Sequence, residues 1–320
     1  MGGRPVSPGR RFGSVAVLGG GPDGEREVSI RSATAIAQAL RTADPALRVT
    51  LHIIDRLPAA GLSDIDAEAL FPYLHGPYGE GGPLQDALAA DGRPFVGSGP
   101  RAARLAMDKL ATKLLAAGIG LSTPRAAVLN PRDAGPPVQT PVVVKPVHEG
   151  STLGLRLCPT AEAYSAALGD IARQRQAGLS PERTYMVESM VPGREITVGV
   201  TGRPGQEQAL PIIEIIPREG LYDFDAKYTR SDTRYVPGPS LPGDAAHRAQ
   251  RAAVDLHRAL GCRHVSRSDF IIDAAGTPWL LEINTTPGMT DHSLVPKAAA
   301  HAGVGMPALC LGLLGMAEPA

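Results

Sequence analysis

The chain has 320 residues, 43% of them hydrophobic, and Lys plus Arg equal Asp plus Glu at 32 each, giving a formal net charge of zero. That length supports two or three compact domains, and the balanced charge, without a concentrated basic run carrying interleaved aromatics, argues against nucleic acid or an anionic membrane and for a small-molecule partner. Cys158, Cys262 and Cys310 are widely spaced and odd in number, and no apolar run approaches the roughly 20 residues of a membrane span, so incidental thiols and a cytoplasmic location are expected.

Residues 1–12 read as a disordered tail. The apolar run Val15 to Leu18 predicts a strand, and the glycines after it (Gly19, Gly21, Gly24) fit the G-x-G-x-x-G dinucleotide fingerprint. A nicotinamide oxidoreductase with Asp55 as the ribose acid is the alternative that this opens. Glu25 opposes it, because it stands where a pyrophosphate would meet the helix N-terminus and would repel that anion. A helix is expected from about Glu25 to Thr42, with Ala33, Ile36, Ala37 and Leu40 as its buried stripe. A second strand at Arg48 to Ile54 follows, then apolar runs at Leu70 to Leu74 and Pro94 to Val96 with a helical stretch between them. This alternation predicts a parallel α/β layer over residues 1–98.

RAARLAMDKLATKLLAAGIGLSTP predicts one helix burying Leu105, Leu110, Leu114 and Leu115, closed by Gly118. PVVVKP, HEGSTLG and LGLRLC read as a hairpin with a mobile tip, and TYMVESMV, GREITVGVTG and ALPIIEIIP as further strands. A helix around Ala246 to Leu260, a hairpin SRSDFIID/AAGT/PWLLEIN and a helical ending complete the chain, with boundaries expected near 98 and 189.

On the hairpin, Glu282 and Asn284 are two residues apart and share one face of their strand. Asp269 on the partner strand can lie alongside, and two acids plus an amide oxygen make a hard oxygen site suited to Mg²⁺. Arg267 and Lys227 supply cations able to stabilise charge on a transferring phosphoryl group or an oxyanion. Lys145 ends an apolar strand, so its ammonium needs an anionic partner. Gly150, Ser151, Thr152 and Gly154 offer backbone N–H groups and hydroxyls to phosphate, but the sequence holds no G-x-x-x-x-G-K-[ST], so any ATP use is not that of a P-loop enzyme.

Taken together, GGGPDGEREVS, HGPYGEGG, GSGPRAARLAMDKLATK, VVVKPVHEGSTLG, GREITVGV, YDFDAKY, RSDF and LLEINTTPGMTDHSLVP follow one another across almost the whole chain. In that order they closely resemble the D-alanine–D-alanine ligases of the ATP-grasp superfamily. The resemblance implies an α/β fold of three domains, α+β in its nucleotide-binding part: 1–98 for substrate, 99–188 central with a mobile loop, and 189–320 with the metal site. ATP would lie between the last two, held by two antiparallel sheets. The carboxylate of one D-alanine would attack the γ-phosphate, and the amine of a second would attack the acyl phosphate, giving the dipeptide used for peptidoglycan precursors.

By the same resemblance Lys109 and Lys145 would contact phosphates, Glu188 the adenine edge and Glu195 the ribose. Glu149, Gly150, Thr152, Val191 and Lys227 would complete the nucleotide site, and Asp269, Glu282 and Asn284 would hold two Mg²⁺, or Mn²⁺. Glu25 would bind the first ammonium and form, with Ser151 and Tyr228, a trio that locks the mobile loop. Arg267 and the Gly288 amide would steady the oxyanion, while Ser293 and the Leu294 amide would take the second carboxylate. Lys227 could serve that carboxylate or the phosphoryl group, and His75 would lie near the second substrate. An intact Tyr228 favours the dipeptide over the depsipeptide. Departures from the family pattern are Gly81, Thr152 and Ser268, and a homodimer is the implied assembly.

Overall fold

The computed structural model describes residues 11–57, 59–133, 135–150, 154–178, 183–217 and 233–320. Most of the tail, the loop tip with Ser151 and Thr152, and the pair Lys227 and Tyr228 lie outside the described residues.

The first layer is the expected parallel one. Strand β1 (Ser14–Gly20) leads into helix α1 (Arg26–Ala43), then β2 (Arg48–Ile54) and β3 (Ala69–Pro72), in the sheet order β2-β1-β3. Gly19 serves close packing: a Cβ there would sit 2.6 Å from the Ala33 Cβ of α1. Gly20 has φ +103 and donates its N–H to Ser29 Oγ, which itself donates to the Tyr73 carbonyl. Asp55, the ribose acid of the nicotinamide alternative, is instead paired with Arg26 at 2.5 Å. The Pro94 to Val96 run forms no full strand. Phe95 makes single bridges, parallel to Leu70 and antiparallel to Glu318, so the C-terminal residues close this edge.

Two short helices follow, α2 (Gly76–Glu80) and α3 (Pro83–Asp91). The single helix expected next is two, α4 (Pro100–Met107) and α5 (Lys109–Gly118). Asp108 breaks it by adopting extended backbone and accepting the Leu110 and Ala111 N–H groups at 2.9 and 3.0 Å, the alternative that a short carboxylate offers a helix start. The break resets the buried face, so Leu114 is 76% exposed, while Lys109, Thr112, Lys113 and Ala116 point inward.

An antiparallel sheet of order β4-β7-β5-β6 is built from β4 (Ala126–Val128), β5 (Val142–Pro146), β6 (Arg156–Cys158) and β7 (Tyr185–Ser189), with α6 (Ala161–Gln176) packed on it. A second antiparallel sheet has β8 (Arg194–Gly202), β9 (Gln208–Ala209), β10 (Ile213–Ile216), β11 (Arg234–Pro237), β12 (His264–Ile272) and β13 (Pro278–Asn284). Its order is β11-β10-β8-β12-β13, with β9 beside β8, and α7 (Ala245–Leu260) shares its core with α4 and α5. Helices α8 (Leu294–His301) and α9 (Met306–Met316) return to the first layer, where Leu309, Cys310, Leu313 and Leu314 pack against α1. Among the described residues no single helix is long and apolar enough to cross a membrane.

This packing leaves Leu114 in solvent and buries Leu256 of α7. Leu114→Lys should change stability by less than about 0.5 kcal/mol, whereas Leu256→Ala, at a fully buried α7 position, should cost about 2–5 kcal/mol in denaturant unfolding. A cost at Leu114 as large as that at Leu256 would mean Leu114 is buried, and would contradict the reset of the buried face at Asp108.

Candidate active site

Strand β12 lies between β8 and β13, and register decides which side chains meet. Asp269 stands opposite Glu282 and Arg267 opposite Asn284, with a register shift just after Asp269. Arg267 grips Asp269 bidentately, Nε to Oδ1 at 2.9 Å and Nη2 to Oδ2 at 2.8 Å. Thr197, the β8 partner of Asp269, donates its hydroxyl to Oδ1 at 2.6 Å. The guanidinium is thereby fixed from behind. Lys109, at the start of α5, reaches Glu282 Oε2 at 3.3 Å and donates to the Glu149 carbonyl, and Asn284 Oδ1 accepts the Thr286 N–H at 2.7 Å.

Arg267, Glu282 and Asn284 open onto a cavity of about 710 Å³. The first layer contributes Glu25, His75 and Glu80 to its lining, the central region Lys109, Glu149 and Gly150, and the C-terminal part Gly288, Ser293 and Leu294. Gly288 packs closely on this turn: a Cβ there would lie 2.9 Å from Ser293 Oγ, which would have to shift. The turn carrying it is fastened to the first layer. The Tyr73 hydroxyl donates to the Pro287 carbonyl at 2.5 Å, and the Met289 N–H to Ser32 Oγ at 3.3 Å.

Burial governs the charges on this wall. His75 is pushed down to about 4 by burial, with the Arg267 charge adding to it, so its imidazole is neutral at physiological pH. Glu80 is pushed up to about 8 by burial and then by the neighbouring Glu25 carboxylate, against the Gly76 N–H that donates to its Oε1. Glu25 is itself only 6% exposed.

Lys145, Glu188, Val191, Glu195 and Asp269 do not line this cavity. Lys145 has the anionic partner its burial demands, Glu188 Oε1 at 2.5 Å, and Lys113 holds Oε2 of the same carboxylate at 2.8 Å. Burial pushes the Glu188 carboxyl up, but the two ammonium groups outweigh it and leave it below the usual range. Val191, in the link between β7 and β8, and Glu195, near the start of β8, are half-buried. The Glu149 carboxylate pairs with Arg183. Among the described residues no three His, Cys, Asp or Glu side chains cluster for a metal; the expected set has two acids and an amide.

Sequence reasoning passed over Glu80 and Lys113. The signal for Lys113 was present, because it follows Lys109 by four residues and so shares its helix face. Glu80 stood in the quoted HGPYGEGG, but nothing local announces that it is buried. The Glu80 carboxyl titrates higher in the folded protein than in the unfolded chain, so its contribution to stability is present at low pH and is lost as pH rises toward about 8. The melting temperature of Glu80→Gln, relative to the unaltered protein, should therefore rise between about pH 5 and 8. A pH-independent difference would contradict this.

Residues 132–315 match the family model described as D-ala D-ala ligase C-terminus. Over 315 residues the chain is 39% identical to the D-alanine–D-alanine ligase of Bordetella avium, covering 95% of each. Its structure is similar to that of the VanG D-Ala:D-Ser ligase from Enterococcus faecalis, with TM-score 0.78 and 25% identity over 96% of this chain and 99% of that one. The D-alanine–D-alanine ligase from Bacillus anthracis complexed with ATP gives TM-score 0.75 and 26% identity over 95% and 96%. With its parallel layer and two antiparallel sheets in the ATP-grasp arrangement, the chain belongs to the D-alanine–D-alanine ligase family.

Proposed function

We propose that this protein joins two D-alanine molecules into D-alanyl-D-alanine, cleaving ATP to ADP and phosphate through an acyl phosphate, in peptidoglycan precursor synthesis. The observation that carries the reading is one cavity lined by a buried carboxylate, Glu25, an anchored guanidinium, Arg267, and the Gly288 to Leu294 turn. Glu25 attracts the ammonium of the first substrate and leaves its carboxylate free to attack the γ-phosphate. Arg267, held by Asp269, and the Gly288 amide steady the charge that develops on the oxyanion, with little reorganisation of their own. Ser293 and the Leu294 amide, at the start of α8, take the second carboxylate. A neutral His75 does not repel the incoming ammonium.

On the nucleotide side we assign Lys109, Lys145, Glu149 and Gly150 to the phosphates, Glu188 and Val191 to the base, and Glu195 to the ribose. Ser151, Thr152, Lys227 and Tyr228 belong to this proposal through the family pattern alone. The donor chemistry of Asp269, Glu282 and Asn284 fits Mg²⁺, and the facing register of Asp269 and Glu282 supports it. When bound, the metal would neutralise charge on the transferring phosphoryl group. Free, buried Cys158, Cys262 and Cys310 support a reducing, cytoplasmic setting, and we extend the family expectation of a homodimer to this chain.

The test is ADP release with ATP, Mg²⁺ and D-alanine, coupled to product identification by mass, then repeated with D-serine or D-lactate added. D-serine differs by one hydroxyl, which a pocket rejects only modestly. Dipeptide from D-alanine alone is expected, and no ADP above background would overturn the reading. Glu282→Gln should lower turnover on the order of 100-fold or more with the fold intact. Glu25→Gln should raise the KM for D-alanine while leaving that for ATP nearly unchanged. Normal activity in the first variant, or equal changes in both constants in the second, would remove the residue from its role.

A further inference from the structure

Glu188 is 3% exposed and faces two ammonium groups, so among the described residues this cluster sets two cations against one anion. The two lysines are anchored differently. Lys113 Nζ lies 2.8 Å from Glu188 Oε2 as an ion pair, and it is anchored independently by donating to Thr123 Oγ1 at 2.7 Å and to the Pro124 carbonyl at 3.1 Å. Thr123 in turn donates to the Leu280 carbonyl of β13 at 2.9 Å, tying Lys113 to the wall of the C-terminal sheet. Lys145 lies at the end of β5, next to the segment that runs to Glu149 and Gly150 on the cavity lining.

A buried carboxylate stripped of its last cation is strongly destabilised, whereas one that keeps a partner is not. We propose that Lys113 is the positioning residue that keeps Glu188 ionised and in place while Lys145 is drawn to a nucleotide phosphate. Nucleotide binding is then an exchange of partners at Lys145, from carboxylate to phosphate, and the surplus positive charge of the cluster is what the phosphate neutralises. Burial pulls Lys113 down to about 8, as expected for an ammonium in a cluster with surplus positive charge. Without Lys113, releasing Lys145 would leave Glu188 bare, so Lys145 would stay on the carboxylate and nucleotide would bind weakly. This inference rests on the reading of Lys145 and Glu188 as nucleotide contacts.

The test is calorimetric binding of a non-hydrolysable ATP analogue with Mg²⁺ to the full chain, alongside the KM for D-alanine. Lys113→Met should weaken analogue binding about tenfold or more, a difference of about 1.4 kcal/mol per decade, with the D-alanine KM unchanged. Lys113→Arg should recover most of the loss. The double variant K113M/E188Q should bind no worse than E188Q alone, because no charge is left to hold. Unweakened binding in K113M, an equal rise in the D-alanine KM, or additive losses in the double variant would overturn the proposal. Wild-type binding in both Glu188→Gln and Lys145→Met would instead overturn the parent reading of those two residues. A readout that needs no folded K113M is the infrared difference spectrum on analogue binding. No protonated-carboxyl band assignable to Glu188 should appear, and a band lost in E188Q would overturn the proposal.

Discussion

The pairing of β12 with β8 on one side and β13 on the other is the constraint on which the site depends. It sets Arg267 and Asp269 on one face, brings Thr197 under the carboxylate, and places Glu282 and Asn284 across from them. A one-residue slip in either pairing would turn these side chains to the opposite face of the sheet. The bidentate clamp also fixes the guanidinium at its tip, so a long side chain lines the cavity with little rotamer freedom.

The cavity is not the property of one sheet. Its glycine-bearing turn is fastened to the parallel layer through Tyr73 and Ser32, and α9 packs back on α1, so chain ends far apart in sequence hold the same wall. Burial then selects the charge states. His75 and Glu80 are both driven toward neutrality, and Glu25 lines the cavity with them.

What the sequence revealed and what it hid follow from the range of the contacts. Period-two alternation in LLEIN was enough to put Glu282 and Asn284 on one face, and the short AAGT turn enough to pair that strand with the one carrying Asp269. The apolar run ending at Lys145 announced that a counter-charge was needed. It could not announce Glu188 or Lys113, because those contacts join separate elements across the fold. The leucines of residues 101–121 misled because Asp108 caps a new helix in mid-run and rotates the buried face onto Lys109 and Lys113. The opening glycines looked like a dinucleotide fingerprint because any tight strand-to-helix passage needs them. Glu25 at the helix start and the pairing of Asp55 with Arg26 separate the two meanings.

The central claim is that this cavity activates one carboxylate substrate by phosphorylation before an amine attacks it. D-alanine carrying isotopically heavy oxygen in its carboxylate tests that claim directly. Attack of the carboxylate on the γ-phosphate, followed by expulsion of phosphate by the second amine, moves one heavy oxygen from D-alanine into the released inorganic phosphate. The account predicts one labelled oxygen per phosphate for each dipeptide formed. Unlabelled phosphate accompanying dipeptide would contradict it.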